Sequence, residues 1–196
     1  MFGHQTIPTN GTITIRPEKP ASRRPEIHKP EIDLYIRITL SEPKNMVLPT
    51  PTLEQIIESL SANAMSLILV GENNQLDIEE LIGHCNKNNL LITGGIFPGI
   101  IHQNNHSDAD VLIKSYPKST KVKIFKELGK SAEFDFPKLQ DDQHSALLFI
   151  DGLSAKISYF LEKTYSFYWD NIKFIGGGCG SLSLVQQPCI FRNEGF

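Results

Sequence analysis

The sequence is poor in cysteine, has no excess of basic charge and contains no long apolar run. Its three cysteines, Cys85, Cys179 and Cys189, lack the spacing of a disulfide framework or a zinc site, which favours a reducing compartment and predicts a cytoplasmic protein. The net charge is −3 at pH 7, so no basic surplus neutralises phosphates and nucleic acid is not an expected partner. No stretch approaches the roughly 18 apolar residues of a membrane helix, so we expect no membrane partner.

Proline separates an N-terminal arm from the rest of the chain. The 196 residues are 40% hydrophobic, which is enough for a core. Five of the 12 prolines nevertheless fall in residues 1–30. Because proline lacks a backbone donor and fixes φ, residues 1–30 are predicted to be an extended, proline-rich arm. Residues 31–196 are predicted to be one α/β domain, which opens with a half-buried strand at residues 32–40, where every second side chain is apolar.

The rest of this domain shows two similar β–α–β–β units after a helix predicted at residues 53–62, with Thr52 as its N-cap. The first unit has a strand at 66–70, a helix at 77–87, a strand at 90–93, Gly94-Gly95 and a strand at 109–115. The second has a strand at 147–150, a helix at 155–167, a strand at 173–175, Gly176-Gly177-Gly178 and a strand at 188–192. A β–α–β crossover makes its strands parallel. The pattern predicts an α/β fold with a mixed, partly parallel sheet; a duplication and a chance recurrence of a common motif both stay open.

Between the two units, the sequence predicts a further strand at residues 121–126 and a loop at residues 129–143. The second helix and the residues after it are rich in aromatic side chains, most of which we expect in the core. They are Tyr159, Phe160, Tyr165, Phe167, Tyr168 and Trp169.

Glycine clusters directly after strands allow a ligand to approach the backbone closely, and open α/β sheets bind ligands beyond the carboxyl ends of their strands. Asp151 and Gly152 also follow a strand, and Asp151 either accepts hydrogen bonds from a ligand amine or caps the turn. Phe97-Pro98 either walls a pocket or packs in the core. The candidate ligand-binding residues are therefore Gly94, Gly95, Phe97, Pro98, Asp151, Gly152, Gly176, Gly177 and Gly178, with purely structural turns as the alternative for the glycines.

Catalytic and metal chemistry have weak support in the sequence. The glycines after residue 175 do not complete G-x-G-x-x-G, because serine occupies the final position, and no G-x-x-x-x-G-K-[ST] loop occurs. Cys179 as a nucleophile with His144 as its base, and His102 with His106 as metal ligands, lack supporting residues nearby in sequence. We expect no enzyme activity, no cofactor and no metal site.

Three blocks of sequence carry a family resemblance: LLITGGIFPGII, LLFIDGLSAKI and KFIGGGCGSLSLVQQPCIFRNEGF. In this order they resemble the N-terminal region of FIST domains, which are sensory modules of prokaryotic signal-transduction proteins and of some eukaryotic F-box proteins. The resemblance covers roughly residues 50–196. It implies an intracellular sensor of a small ligand, with amino acids as the proposed ligand class, and no catalytic machinery.

Two departures from the family pattern bear on this interpretation. Family members normally continue into a C-terminal FIST region, which we expect to be missing from this sequence because it stops just after Phe191–Gly195; a fragment of a longer protein and a naturally short version both stay open. The family's Gly-Gly-x-Ala-Gly-like stretch reads Gly177-Gly178-Cys179-Gly180, without the alanine and with Ser181 next, so ligand specificity is in doubt if this stretch touches the ligand.

Residues and resemblance together predict a cytoplasmic sensory module for signal transduction. It would bind a small-molecule ligand between the two glycine clusters and signal through an output partner protein. The alternative is a protein-interaction scaffold without a ligand pocket, which would use the aromatic helix and the proline-rich arm.

Overall fold

The computed structural model describes residues 45–125, 134–138 and 145–196. The predicted arm, its boundary with the domain and the predicted strand at residues 32–40 lie outside these residues, as does most of the predicted loop at residues 129–143. The described part contains three α-helices: α1 (Leu53–Ser59), α2 (Ile78–Lys87) and α3 (Ile157–Tyr168). Its nine strands are β1 (Asn45–Leu48), β2 (Ala64–Gly71), β3 (Leu91–Phe97), β4 (Ile100–His102), β5 (Asn105–Ser107), β6 (Val111–Pro117), β7 (Ser145–Asp151), β8 (Lys173–Cys179) and β9 (Ile190–Arg192).

The largest sheet has the strand order β1-β6-β2-β3-β9. Strands β2 and β3 are parallel, while the β1–β6, β2–β6 and β3–β9 pairs are antiparallel. A second sheet consists of the parallel pair β7 and β8, and β4 with β5 forms a small antiparallel hairpin. The predicted α/β fold with a mixed, partly parallel sheet is confirmed.

Helices α1 and α2 cover one face of the large sheet. Thr52 and Gln55 form a capping box at the start of α1, and the Asp77 side chain accepts a hydrogen bond from the Glu80 amide at the start of α2. Carboxylate and hydroxyl caps satisfy amides that a helix leaves unpaired, so both starts are encoded locally. The buried core between helices and sheet is Ile56, Ile68, Val70, Ile78, Leu81, Ile82, Cys85, Leu90, Ile92, Val111, Ile113 and Phe191.

Helix α3 packs on one face of the β7–β8 sheet through aromatic rings. The Phe174 ring lies 5.4 Å from that of Tyr165 and 5.8 Å from that of Tyr168. Phe160 and Tyr168 are buried, whereas Tyr159, Tyr165, Phe167 and Trp169 are exposed. The aromatic residues of this region therefore divide between core and surface, with more on the surface than the sequence analysis expected.

Two predictions about strands are wrong. The glycine clusters do not follow β3 and β8 but lie inside them, because both strands continue past the glycines to Phe97 and Cys179. Residues 121–125 of the predicted strand at 121–126 have no regular structure. In this stretch the Phe125 ring contacts the rings of Phe134, Phe136 and Phe160, and Lys123 pairs with Asp135.

No helix in the described residues combines the length and the apolar character needed to cross a membrane.

Candidate functional site

The carboxyl ends of β3 and β8 meet at Ile96. The Ile96 carbonyl accepts a hydrogen bond from the Gly180 amide at 2.8 Å, and the Ile96 amide donates to the Cys189 carbonyl at 2.8 Å. Gly180 has a φ of +124°, which favours glycine where the chain leaves β8. The ends of strands from both β–α–β units are thereby fixed side by side at one place, the junction of the two sheets.

Glycine and two aromatic rings line this meeting point. A Cβ atom placed on Gly95 would lie 3.1 Å from the Cys179 Sγ atom and 3.2 Å from the Cys189 carbonyl, so a larger residue would crowd the junction. The Phe97 and Phe149 rings contact each other edge to face with centroids 5.4 Å apart. Pro98 follows Phe97 and is half-buried. The structure thus brings together Gly95, Phe97 and the end of β8.

Two of the candidate glycines have a structural reason to be glycine. Gly94 and Gly176 occupy the same position, the fourth residue, in β3 and β8. A Cβ on Gly94 would collide with the Ile68 carbonyl and come within 2.6 Å of the Phe191 ring, and one on Gly176 would collide with the Leu148 carbonyl. The matching collisions show that both strand pairs depend on glycine at this register.

The other two glycines of β8, Gly177 and Gly178, have room for a Cβ atom. Gly176, Gly177 and Gly178 are all exposed, and a Cβ on Gly177 would meet no atom of the described residues within 4 Å. A Cβ on Gly178 would lie 3.6 Å from the Gly152 Cα atom, which joins Gly152 to this surface. Gly177 and Gly178 therefore present bare backbone that a bound molecule can approach closely.

Asp151 forms the turn after β7. Its carboxylate accepts hydrogen bonds from the Leu153 amide at 2.9 Å and the Ser154 hydroxyl at 3.3 Å, as expected for an aspartate that organises a turn. The Oδ2 atom also accepts from the Gln186 side-chain amide at 3.2 Å. The turn-capping role is present in the structure, and one oxygen in addition faces the segment between β8 and β9.

Glu72 lies directly after β2, at the position that Gly152 takes after β7, and it is not among the residues predicted from the sequence. Its amide donates to the Phe97 carbonyl at 2.8 Å, and its Oε2 atom accepts from the Leu182 amide at 2.8 Å. The available signal was the pair Gly71-Glu72 at the end of β2, which parallels Asp151-Gly152 at the end of β7. Each unit therefore has a carboxylate where its first strand ends, Glu72 after β2 and Asp151 in β7.

The thiols at the junction are neutral at physiological pH. Burial, with smaller contributions from the nearby Cys189 and Asp151, raises the pKa of Cys179 to about 12. Burial and Asp151 raise the pKa of Cys189 to about 11. His144, the base considered for Cys179, lies outside the described residues.

The histidines considered as metal ligands belong to the small hairpin. His102 ends β4 and His106 lies in β5, where its ring packs against Gly99. Across residues 45–125, 134–138 and 145–196, no group of three or more His, Cys, Asp or Glu side chains is placed to hold a metal ion.

Two clefts of about 330 Å³ each lie away from the junction. One is lined by β1 and α1 residues, including Met46 and Glu58. The other is lined by Asn86, Leu91 and Asn193, among others. In this second cleft the Asn193 side chain accepts from the Ile92 amide and donates to the Leu90 carbonyl and to Asn86, which ties the end of β9 to α2 and β3.

Comparison with known proteins identifies one family. The family model described as the FIST N domain matches residues 66–196, a region that contains both β–α–β units and β9. No curated protein and no solved structure matches the chain. Membership in this family is consistent with a sensory domain of signal transduction. The match covers well over half of the sequence, and the chain belongs to the FIST family.

Proposed function

We propose that the chain is a non-catalytic sensory module that binds a small ligand in a crevice at the junction where β3 and β8 meet. The observation that carries the proposal is the junction at Ile96, which fixes strand ends from both units beside the bare backbone of Gly177 and Gly178. Crevices beyond the carboxyl ends of parallel strands are the usual ligand sites of open α/β sheets. Amino acids are the first ligand class to test, because the family resemblance implies it.

The chemistry of the junction supports binding without catalysis. The Cys179 pKa of about 12 leaves almost no thiolate near neutral pH, and thiolate is the form that acts as a nucleophile. The carboxylates of Glu72 and Asp151 accept hydrogen bonds from protein donors. They can hold a donor group such as an amine without any proton transfer. Readout of the bound state by an output partner protein is part of this proposal.

A thermal-shift screen of the full chain against the twenty amino acids and common central metabolites tests the proposal. A ligand present at a hundred times its dissociation constant stabilises the folded state by about 2.7 kcal/mol. For a protein of this size, that corresponds to a rise in melting temperature of roughly 5–10 °C. The alternative, an interaction scaffold without a ligand pocket, predicts no selective rise for any of these compounds.

A matched pair of glycine variants locates the site. Gly177→Val adds a side chain over the open backbone of β8, whereas Gly83→Val adds the same side chain to the exposed face of α2. In both positions a Cβ meets no described atom within 4 Å, so both variants should fold. We expect Gly177→Val to abolish the ligand-induced shift and Gly83→Val to preserve it. Equal shifts in both variants would place the ligand elsewhere.

A further inference from the structure

The segment between β8 and β9 is a loop whose two ends are fixed to one residue. Gly180 at its start and Cys189 at its end both form backbone hydrogen bonds with Ile96, one to its carbonyl and one from its amide. Residues 181–188 between these anchors are called the strap below. Compact surface loops with neighbouring ends can move as units and are often functional. The anchors give the strap a fixed base beside the crevice.

Little apolar burial holds the strap in place. Residues 182–188 are all exposed, and the side chains of Leu182, Leu184 and Val185 are 71%, 73% and 62% exposed. Leu184 also has a φ of +56°, a left-handed conformation that is unfavourable for a residue with a Cβ. Segments with few buried contacts open at low free-energy cost.

Two carboxylates hold the strap from outside. Glu72 accepts from the Leu182 amide at 2.8 Å, and Asp151 accepts from the Gln186 side-chain amide at 3.2 Å. The other hydrogen bonds that the structure shows for the strap are internal, such as Ser181 with Ser183 at 3.0 Å. Since Glu72 follows β2 and Asp151 ends β7, the strap is attached to both units.

We propose that the strap is a lid, latched by Glu72 and Asp151, that opens about its anchors at Ile96. The closed lid donates one N–H group to Glu72 and one to the Oδ2 atom of Asp151. The open lid releases both of these hydrogen bonds, while Asp151 keeps those of its own turn. A ligand with amine or amide donors would therefore compete with the lid for the same oxygen atoms. This role in ligand access rests on the proposed function, whereas the opening itself does not.

Two cysteines mark the ends of the strap and one lies elsewhere. Cys189 is itself an anchor and Cys179 precedes the other anchor, Gly180; their side chains are only 3% and 4% exposed, while Cys85 is fully buried in α2. We expect opening of the lid to increase the exposure of Cys179 and Cys189 but not that of Cys85. This gives a chemical readout with an internal control in the same chain.

The experiment measures lid opening without a ligand, on the full chain. Hydrogen exchange and iodoacetamide alkylation, both read by peptide mass spectrometry, compare wild type with Glu72→Ala, Glu72→Gln and Gln186→Ala. Glu58→Ala, which removes an exposed carboxylate from α1, is the control. We expect Glu72→Ala to accelerate exchange of the Leu182 amide and alkylation of Cys179 and Cys189 by tenfold or more, with Cys85 unchanged. Glu72→Gln keeps an acceptor oxygen and should give a smaller effect.

Selective acceleration in the strap supports the lid. Two results for Glu72→Ala would overturn it. The first is exchange and alkylation rates equal to those of Glu58→Ala. The second is an equal acceleration of exchange in β2 and β3, which would mean that Glu72 stabilises the whole fold. If Glu72→Ala does not fold, Gln186→Ala decides, since this change lies within the strap and should give a severalfold effect. The exchange and alkylation experiments use no ligand. Their outcome is therefore independent of the outcome of the thermal-shift screen, and either proposal can be wrong without the other.

Discussion

The two β–α–β units share one local architecture but differ in what surrounds it. The first (residues 64–97) and the second (residues 145–179) each pair two parallel strands across a helix, with glycine at the fourth position of the second strand. In the first unit, β6 and β9 extend the sheet on both sides. Within the described residues, the strands of the second unit pair only with each other.

Burial follows this difference. Most of β2 is buried, whereas the register partners Leu147 and Ile175 of the second unit are 45% and 66% exposed. Parallel strands are normally covered on both faces, and two-stranded sheets are marginal on their own. The comparison teaches that the β–α–β motif sets strand pairing, while flanking strands set stability. We therefore expect the second unit to open at lower free energy than the first.

The largest effect should come from removing the ring that supports the first unit. Phe191→Ala deletes a fully buried side chain that packs over Gly94 and should cost about 3–5 kcal/mol of unfolding free energy. Phe174→Ala in the second unit deletes a half-buried ring with two aromatic contacts and should cost about 2 kcal/mol.

Urea unfolding followed by two probes distinguishes the units. Circular dichroism reports the whole fold, while the single tryptophan, Trp169, reports the end of α3. We expect Phe174→Ala to shift the fluorescence transition to lower urea than the circular dichroism transition. Coincident transitions in this variant would mean that the two units unfold as one, and the proposed difference in stability would be wrong.

Much of this architecture follows from local sequence. The caps Thr52 and Asp77, the apolar periodicity of α2 and the short apolar strands are all encoded within a few residues. A β–α–β order then fixes parallel pairing by chain connectivity. The Thr52 cap, the helices and the short apolar strands were predicted because each depends on neighbours in sequence, whereas the equally local Asp77 cap was not.

The errors have a common physical origin in contacts between distant residues. Glycine disfavours strands, so the predicted strands stopped at Gly94 and Gly176, yet the sheets require glycine there because the Phe191 ring and neighbouring carbonyls leave no room for a Cβ. The hydrogen bond from Leu182 to Glu72 spans 110 positions in sequence. The pairing of β9 with β3 joins segments that are far apart in sequence, 98 positions from Thr93 to Phe191, and no local pattern indicates it.

An effect of intermediate size is expected on the free energy of unfolding at alkaline pH. It comes from one buried thiol in each unit, Cys85 in the first and Cys179 in the second. The ordinary thiol pKa of 9.0 is raised by burial to about 11 for Cys85 and to about 12 for Cys179. Above pH 9 the unfolded thiols ionise while the folded ones stay protonated, so their contribution to stability is full below pH 9. It falls by about 1.4 kcal/mol per pH unit per thiol until pH reaches the folded pKa.

Urea unfolding at pH 8, 9 and 10 of wild type, Cys85→Ala and Cys179→Ala measures this contribution. Other ionisable groups contribute equally to all three proteins, so the difference in slope isolates each thiol. If the second unit unfolds first, Cys179→Ala should reduce the pH dependence of the unfolding free energy reported by Trp169. Cys85→Ala should instead reduce the pH dependence of the unfolding free energy reported by circular dichroism. A pH slope unchanged by either substitution would contradict the burial of these thiols in the folded state.

The smallest effects concern the starts of α2 and α3, the helices of the two β–α–β units. Asp77 caps α2, and Asp77→Ala should cost about 1 kcal/mol of unfolding free energy because the Glu80 amide loses its acceptor.

Helix α3 instead begins after Lys156, which has a φ of +66° and makes no side-chain capping bond. Lys156→Gly should therefore stabilise the chain by about 0.5 kcal/mol, since glycine adopts this conformation without the Cβ clash but loses more entropy on folding. Lys156→Ala keeps the Cβ and removes the same charge, so it should leave stability nearly unchanged. If glycine and alanine gave the same urea midpoint for the Trp169 transition, backbone strain at Lys156 would not contribute to the weakness of the second unit. The difference between the units would then rest on the flanking strands alone.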